Sequence, residues 1–97
     1  METEIKILKA MGDETRMKIL QYLLNGEKCA CTIVPFIGKA QPTVSQHLKI
    51  LVEAGILEMR RDGVKMLYRI NNDRAVRILG ILGIERMEID DADLGHC

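Results

Sequence analysis

The chain has 97 residues, 47% hydrophobic but 3% aromatic with no Trp, which bounds one small, largely helical domain with a core of Leu, Ile, Val and Met. A formal net charge of zero excludes a purely electrostatic polyanion binder, and the scarcity of aromatic stacking platforms argues against single-stranded nucleic acid. The balance is uneven: residues 36–72 carry six basic and three acidic side chains, a local +3, whereas residues 85–97 carry five acids against Arg86, a local −4 that belongs away from phosphates.

In chain order, Ile5, Leu8 and Met11 recur at helical spacing and predict a first helix over Thr3 to Met11, broken by Gly12. Asp13 is the expected N-cap of a second helix from Glu14 to Leu24, with Met17, Leu20, Leu23 and Leu24 as its stripe and Asn25-Gly26 as its end. A third helix is expected from near Cys31 to before Gly38, with Pro35 in about its first turn, where a missing N–H is tolerated. The fourth runs from Gln41 to Ala54 and is stopped by Gly55.

Projected at 100° per residue, the fourth helix puts Val44, Leu48 and Leu51 on one face and Pro42, Ser45, Gln46 and Lys49 on the other. Hydroxyl and amide groups pair with base edges, and Lys49 reaches a phosphate, so the outer face suits a DNA groove. His47 projects near the apolar edge, which favours a hydrogen bond within the domain over base contact.

Leu57 to Arg61 and Val64 to Ile70 then read as two strands folded about Asp62-Gly63 in a type I′ hairpin, with Arg60, Arg61, Lys65 and Arg69 around the turn. Such a hairpin beside a reading helix is a basic wing. The expected fold class is mainly α with a small β-hairpin, a winged helix-turn-helix in the order α-α-α-α-β-β-α.

A final helix is predicted from Asp73, as N-cap, to Met87, with Ala75, Val76, Ile78, Leu79, Ile81, Leu82 and Ile84 leaving almost no polar face. A chain this small cannot surround such a helix by itself, so it is expected to pack with the first helix against a second subunit. Gly80 and Gly83 would permit close helix approach. A two-fold dimer would present two reading helices one turn of DNA apart, and the expected operator is an inverted repeat in double-stranded DNA. The domain organisation is thus a DNA-binding and dimerisation domain over 1–87 and an acidic tail over 88–97.

No run has the roughly 18 to 20 apolar residues of a membrane span and no export signal opens the chain, so a cytoplasmic, membrane-free protein is expected. No Ser/His/Asp set, phosphate loop or paired-carboxylate pocket is discernible, which argues against an enzyme. Three cysteines, two of them one residue apart, do not make a disulfide scaffold.

Cys29 and Cys31 lie where the third helix starts, and its N-terminal dipole with neighbouring Lys28 favours thiolate. Two residues apart on a regular helix they would point about 200° from each other, so chelation requires Cys29 to lie in the preceding turn or the helix start to deform. Because this helix abuts the reading helix, clamping both sulfurs would shift the DNA-binding unit. The other readings are a thiol redox switch joining Cys29 or Cys31 to Cys97, and two inert buried cysteines.

Several segments together resemble the ArsR/SmtB winged-helix repressors: Leu8-Lys9-Ala10-Met11-Gly12-Asp13-Glu14-Thr15-Arg16 the family opening, Glu27-Lys28-Cys29-Ala30-Cys31 the metal box, Gln41 to Lys49 the recognition helix, and Arg60-Arg61-Asp62-Gly63 through Tyr68-Arg69 the wing. The resemblance implies a homodimer that represses a promoter and releases it when a metal, metalloid or other signal arrives. It implies DNA contacts at Gln41, Thr43, Ser45 and Gln46, beside Lys49, Arg60, Arg61 and Lys65 from the residues themselves. Ala40 stands where the family usually has a Ser cap.

Trivalent arsenic or antimony takes three thiolates, and cadmium, lead or zinc three or four soft ligands. Of these As(III), Sb(III), Cd and Pb are the expected inducers, with none needed for folding. The family's arsenic box has a third Cys three residues after the second, where this chain has Val34, so Cys97, with His96 beside it, is the remaining candidate ligand. The family's zinc or nickel site needs His in the last helix, and 73–87 has none; Asp90, Asp91, Asp93 and His96 read as a solvated acidic tail. The competing class is a winged helix that binds a protein partner through its last helix and no longer reads DNA.

Overall fold

A computed structural model describes residues 1–88. The chain opens with α1 (Glu2–Met11) and α2 (Glu14–Leu23), divided at Gly12 and Asp13. Asp13 is extended at φ −145° and its carboxylate accepts the Arg16 backbone N–H, the expected N-cap. The inward stripe of α1 is Ile7, Ala10 and Met11, while Ile5 and Leu8 face outward. This helix thus has two apolar sides, and of the expected Ile5, Leu8 and Met11 the domain covers only Met11.

A short strand β1 (Lys28–Cys29) follows, leading directly into α3 (Ala30–Ile37). Pro35 is the sixth residue of α3, deeper than expected, where it cannot donate to the Cys31 carbonyl one turn before. Gly38 closes α3 at φ 76°, and α4 (Gln41–Glu53) starts after an Ala40 N-cap that makes no side-chain cap bond. Val44, Leu48 and Leu51 of α4 are 0–1% exposed against Ile19, Leu20 and Ile33 of the same core.

The wing is β2 (Leu57–Asp62) and β3 (Lys65–Ile70), paired from Leu57↔Ile70 to Asp62↔Lys65. The two-residue loop is therefore Gly63-Val64, not Asp62-Gly63. Gly63 has φ 65° and Val64 has no positive φ, so only the first loop position is left-handed, as in a type II′ turn, not type I′. β1 adds to β3 through Lys28↔Tyr68 and Cys29↔Leu67, giving a three-stranded antiparallel sheet in the order β1-β3-β2. The expected hairpin thus gains a third strand, and the element order becomes α-α-β-α-α-β-β-α.

The last helix, α5 (Asp73–Ile81), is capped by Asn72, whose side chain accepts from Ala75 N–H; the expected cap, Asp73, is its first residue. It stops six residues short of Met87, with Gly83 at φ 76° just beyond it. Ala75 and Leu79 are buried, but Val76, Ile81 and Leu82 are 42%, 84% and 57% exposed. Arg74 on α5 reaches Glu4 on α1 at 2.7 Å. Residues 85–87 return to the end of α2, where Gln21 donates to the Glu85 carbonyl at 3.0 Å, and just beyond it the Met87 N–H donates to Asn25 at 3.0 Å. Among the described residues, no helix is long and apolar enough to cross a membrane. The acidic tail beyond Glu88, with Asp90, Asp91, Asp93, His96 and Cys97, lies outside the described residues.

Candidate nucleic-acid interface and thiol site

Burying Val44, Leu48 and Leu51 fixes the rotation of α4 and turns Gln41, Pro42, Thr43, Ser45, Gln46 and Lys49 to solvent. The outer surface is one continuous run of small, amide, hydroxyl and ammonium groups. The helix is also locked in tilt. Arg16 Nε donates to the Ala10 carbonyl at 2.6 Å, and an Arg16 terminal nitrogen lies 3.1 Å from His47 Nδ1. A guanidinium only donates, so Nδ1 accepts and the imidazole proton sits on Nε2. Asp13 Oδ2 is 3.9 Å from the same nitrogen. The Arg16 backbone N–H, and then the Arg16 charge, hold the Asp13 carboxyl below its usual range against the cost of burial. His47 therefore ties α4 to the α1–α2 junction and leaves the exposed face to its neighbours.

The wing cations divide into two pairs. Arg60 makes a bidentate contact with Glu27 at 2.8 and 2.9 Å, which lowers the Glu27 carboxyl and raises the Arg60 guanidinium. Arg69 reaches Glu58 at 2.9 Å, and Glu58 also accepts from Asn71 at 2.8 Å. Arg61 and Lys65 are exposed and have no ion pair with another described residue. Of the wing residues expected to meet phosphate, Arg61 and Lys65 are thus available, while Arg60 is engaged by Glu27. No local pattern signals this pair, whose members are 33 residues apart.

Cys29 ends β1 and caps α3, extended at φ −77° and ψ 146°. That conformation removes the 200° divergence of a regular helix. The Cα atoms of Cys29 and Cys31 are 5.1 Å apart, their sulfurs are joined in a disulfide, and Cys29 Sγ accepts the Cys31 N–H at 3.1 Å. The redox reading expected a bridge from Cys29 or Cys31 to Cys97; the two near cysteines are joined to each other instead, and Cys97 lies outside the described residues. Lys28, the residue before Cys29, lies over the Tyr22 ring at 5.4 Å, and Tyr22 stacks on Phe36 at 4.2 Å. Among the described residues, no group of three or more Cys, His, Asp or Glu side chains could hold a metal ion.

The two sites share walls. One open groove of about 580 Å³ is lined by Cys29 and Cys31, by Gln41 and Ser45 of α4, and by Lys65 and Met66 of the wing. Cys29 is also a ladder partner of Leu67 in β3, and α3 packs on α4.

Residues 13–59 match the bacterial regulatory protein, arsR family. An uncharacterized HTH-type transcriptional regulator of Methanocaldococcus jannaschii is 43% identical over 82 residues, 84% of this chain and 92% of that protein. The arsenical resistance operon repressor of Staphylococcus aureus is 41% identical over 96 residues, 94% of this chain and 92% of that one. Among solved structures, the homodimeric winged helix-turn-helix DNA-binding domain of a Mycobacterium bovis protein superposes with a TM-score of 0.78 at 28% identity, covering 86% of this chain and 77% of that chain.

Proposed function

The chain belongs to the arsR family of bacterial regulatory proteins, a DNA-binding transcriptional regulator and not an enzyme, and from that premise we propose that it is a homodimeric repressor released from its operator by a thiophilic metal or metalloid at Cys29 and Cys31. The observation that carries this reading is the convergence of the two cysteines at the junction of β1 and α3, against both the reading helix and the wing.

In this reading Gln41, Thr43, Ser45 and Gln46 meet base edges, Lys49, Arg61 and Lys65 meet phosphates, and Arg60 contributes once it leaves Glu27. The outward stripes of α1 and α5, with Ile5, Leu8, Val76, Ile81 and Leu82, form the subunit interface, and the operator is an inverted repeat. As(III), Sb(III), Cd and Pb are the candidate inducers, and Cys97 is the remaining thiol for a three-sulfur site. Binding to Cys29 and Cys31 reshapes the start of α3, where Pro35 already leaves the helix one hydrogen bond short.

The test is a salt-controlled operator titration of the reduced protein, repeated with arsenite and cadmium and then with excess dithiol. Release by the inducer, recovery on adding dithiol, and loss of the response in Cys29→Ser are the expected results. An unchanged response in Cys29→Ser overturns the sensor assignment. A second reading is favoured by the sulfur pairing itself: oxidation to the Cys29–Cys31 disulfide as the releasing signal. It predicts release by an oxidant in the Cys97→Ser protein, without metal.

A further inference from the structure

Strand alternation and the β2–β3 register put Arg60, the Glu58–Arg69 pair and the Asp62–Lys65 pair on one face of the wing. With Glu27 reaching over from just before β1, that face holds three cations against three carboxylates and is neutral as a whole. Arg69 is answered by Glu58, and Lys65 stands opposite Asp62, both within the hairpin. Arg60 takes its counter-charge from outside it, across β3, where two guanidinium nitrogens donate to the two Glu27 carboxylate oxygens at 2.8 and 2.9 Å. A fork that fits a carboxylate fits a phosphate too. The Arg60 and Glu27 side chains are 54% and 28% exposed, so water screens the pair and exchanging its partner costs little.

We propose that Glu27 is a built-in competitor of the operator: its carboxylate holds Arg60 in the free protein, and a DNA phosphate displaces it on binding. This role rests on the DNA-reading assignment above and deepens it. Each subunit gains one phosphate contact and gives up one ion pair, so Glu27 lowers affinity without touching DNA. The exchange also unties the wing from the segment that leads, two residues on, into Cys29. By reciprocity, a state of that segment that keeps Glu27 on Arg60 weakens the grip on DNA, and bound DNA disfavours that state equally.

The test is a double-variant cycle on the reduced full chain, with Glu27→Gln, Arg60→Gln and the two combined, each titrated over a range of salt against a duplex from the chain's own promoter. Glu27→Gln keeps the shape and removes the charge. Binding should tighten about tenfold, because two exposed ion pairs per dimer need no longer be broken. The slope of log affinity against log salt should steepen by about one per subunit. In the Arg60→Gln background the same Glu27 substitution should change neither quantity. Tightening that persists without Arg60 is a general charge effect and overturns the proposal. Weaker binding in Glu27→Gln also overturns it, making the pair a strut that DNA binding needs. If the parent binds with a steep salt dependence and Glu27→Gln matches it, the competitor role fails while the DNA-reading assignment stands. A parent whose binding ignores salt overturns both.

Discussion

α4 and α5 are both amphipathic helices of this domain, and they dispose of their apolar residues in opposite ways. α4 spends its whole stripe inside the chain, with Val44, Leu48 and Leu51 sealed and its polar side turned out. α5 seals Ala75 and Leu79 but leaves Val76, Ile81 and Leu82 in solvent, as α1 leaves Ile5 and Leu8. One helix is complete within a single subunit and offers polar groups to a polyanion. The other leaves apolar surface uncovered, which in the proposed homodimer faces the second subunit.

The contrast can be broken at either helix. Leu51→Ala removes side-chain volume from a sealed site and should cost about 2–5 kcal/mol of folding stability in thermal or denaturant unfolding, whatever the protein concentration. Leu82→Glu should leave the monomer fold intact by circular dichroism while weakening the dimer about a hundredfold in sedimentation, since two such side chains are withdrawn per interface. An unchanged dimer would place the interface elsewhere. Lys49→Ala should change neither fold nor dimer but reduce the slope of log affinity against log salt by about one per subunit. An unaltered slope would remove Lys49 from the phosphate contacts. Ala40→Ser supplies the absent cap of α4 and should raise stability by about 0.5–1 kcal/mol, the smallest of these effects.

The sequence made the helices legible where a boundary has a local cause, as at Asp13, Gly38 and Gly55, and it made the stripe of α4 legible because Val44, Leu48 and Leu51 recur at helical spacing opposite Pro42, Ser45, Gln46 and Lys49. For α1 the spacing of Ile5, Leu8 and Met11 announced the helix but not its inward side, because Ile7 and Ala10 offer a second apolar stripe and spacing alone does not say which one this subunit buries. β1 escaped notice because a two-residue strand shows no alternation and its partner Tyr68 is forty residues away. The hairpin slipped because both Asp62-Gly63 and Gly63-Val64 are possible two-residue loops, and ladder pairing decided between them. At the site, α4's reading surface and the cysteine pair were legible by residue type. The Arg16–His47 and Glu27–Arg60 contacts were not, since each joins residues more than thirty positions apart.

Arg16 has one further effect. By holding the Ala10 carbonyl and His47 together, it joins the recognition helix to the end of α1. If α1 contributes to the dimer seam, the angular phase of one reading helix relative to its twin is then set by the assembly and cannot be readjusted by one subunit. Each inserted base pair turns a half-site by about 35°, so operators whose spacer is lengthened by one pair should lose most of their affinity, and Arg16→Ala should make the protein more tolerant of spacer length while weakening its grip on the native spacing.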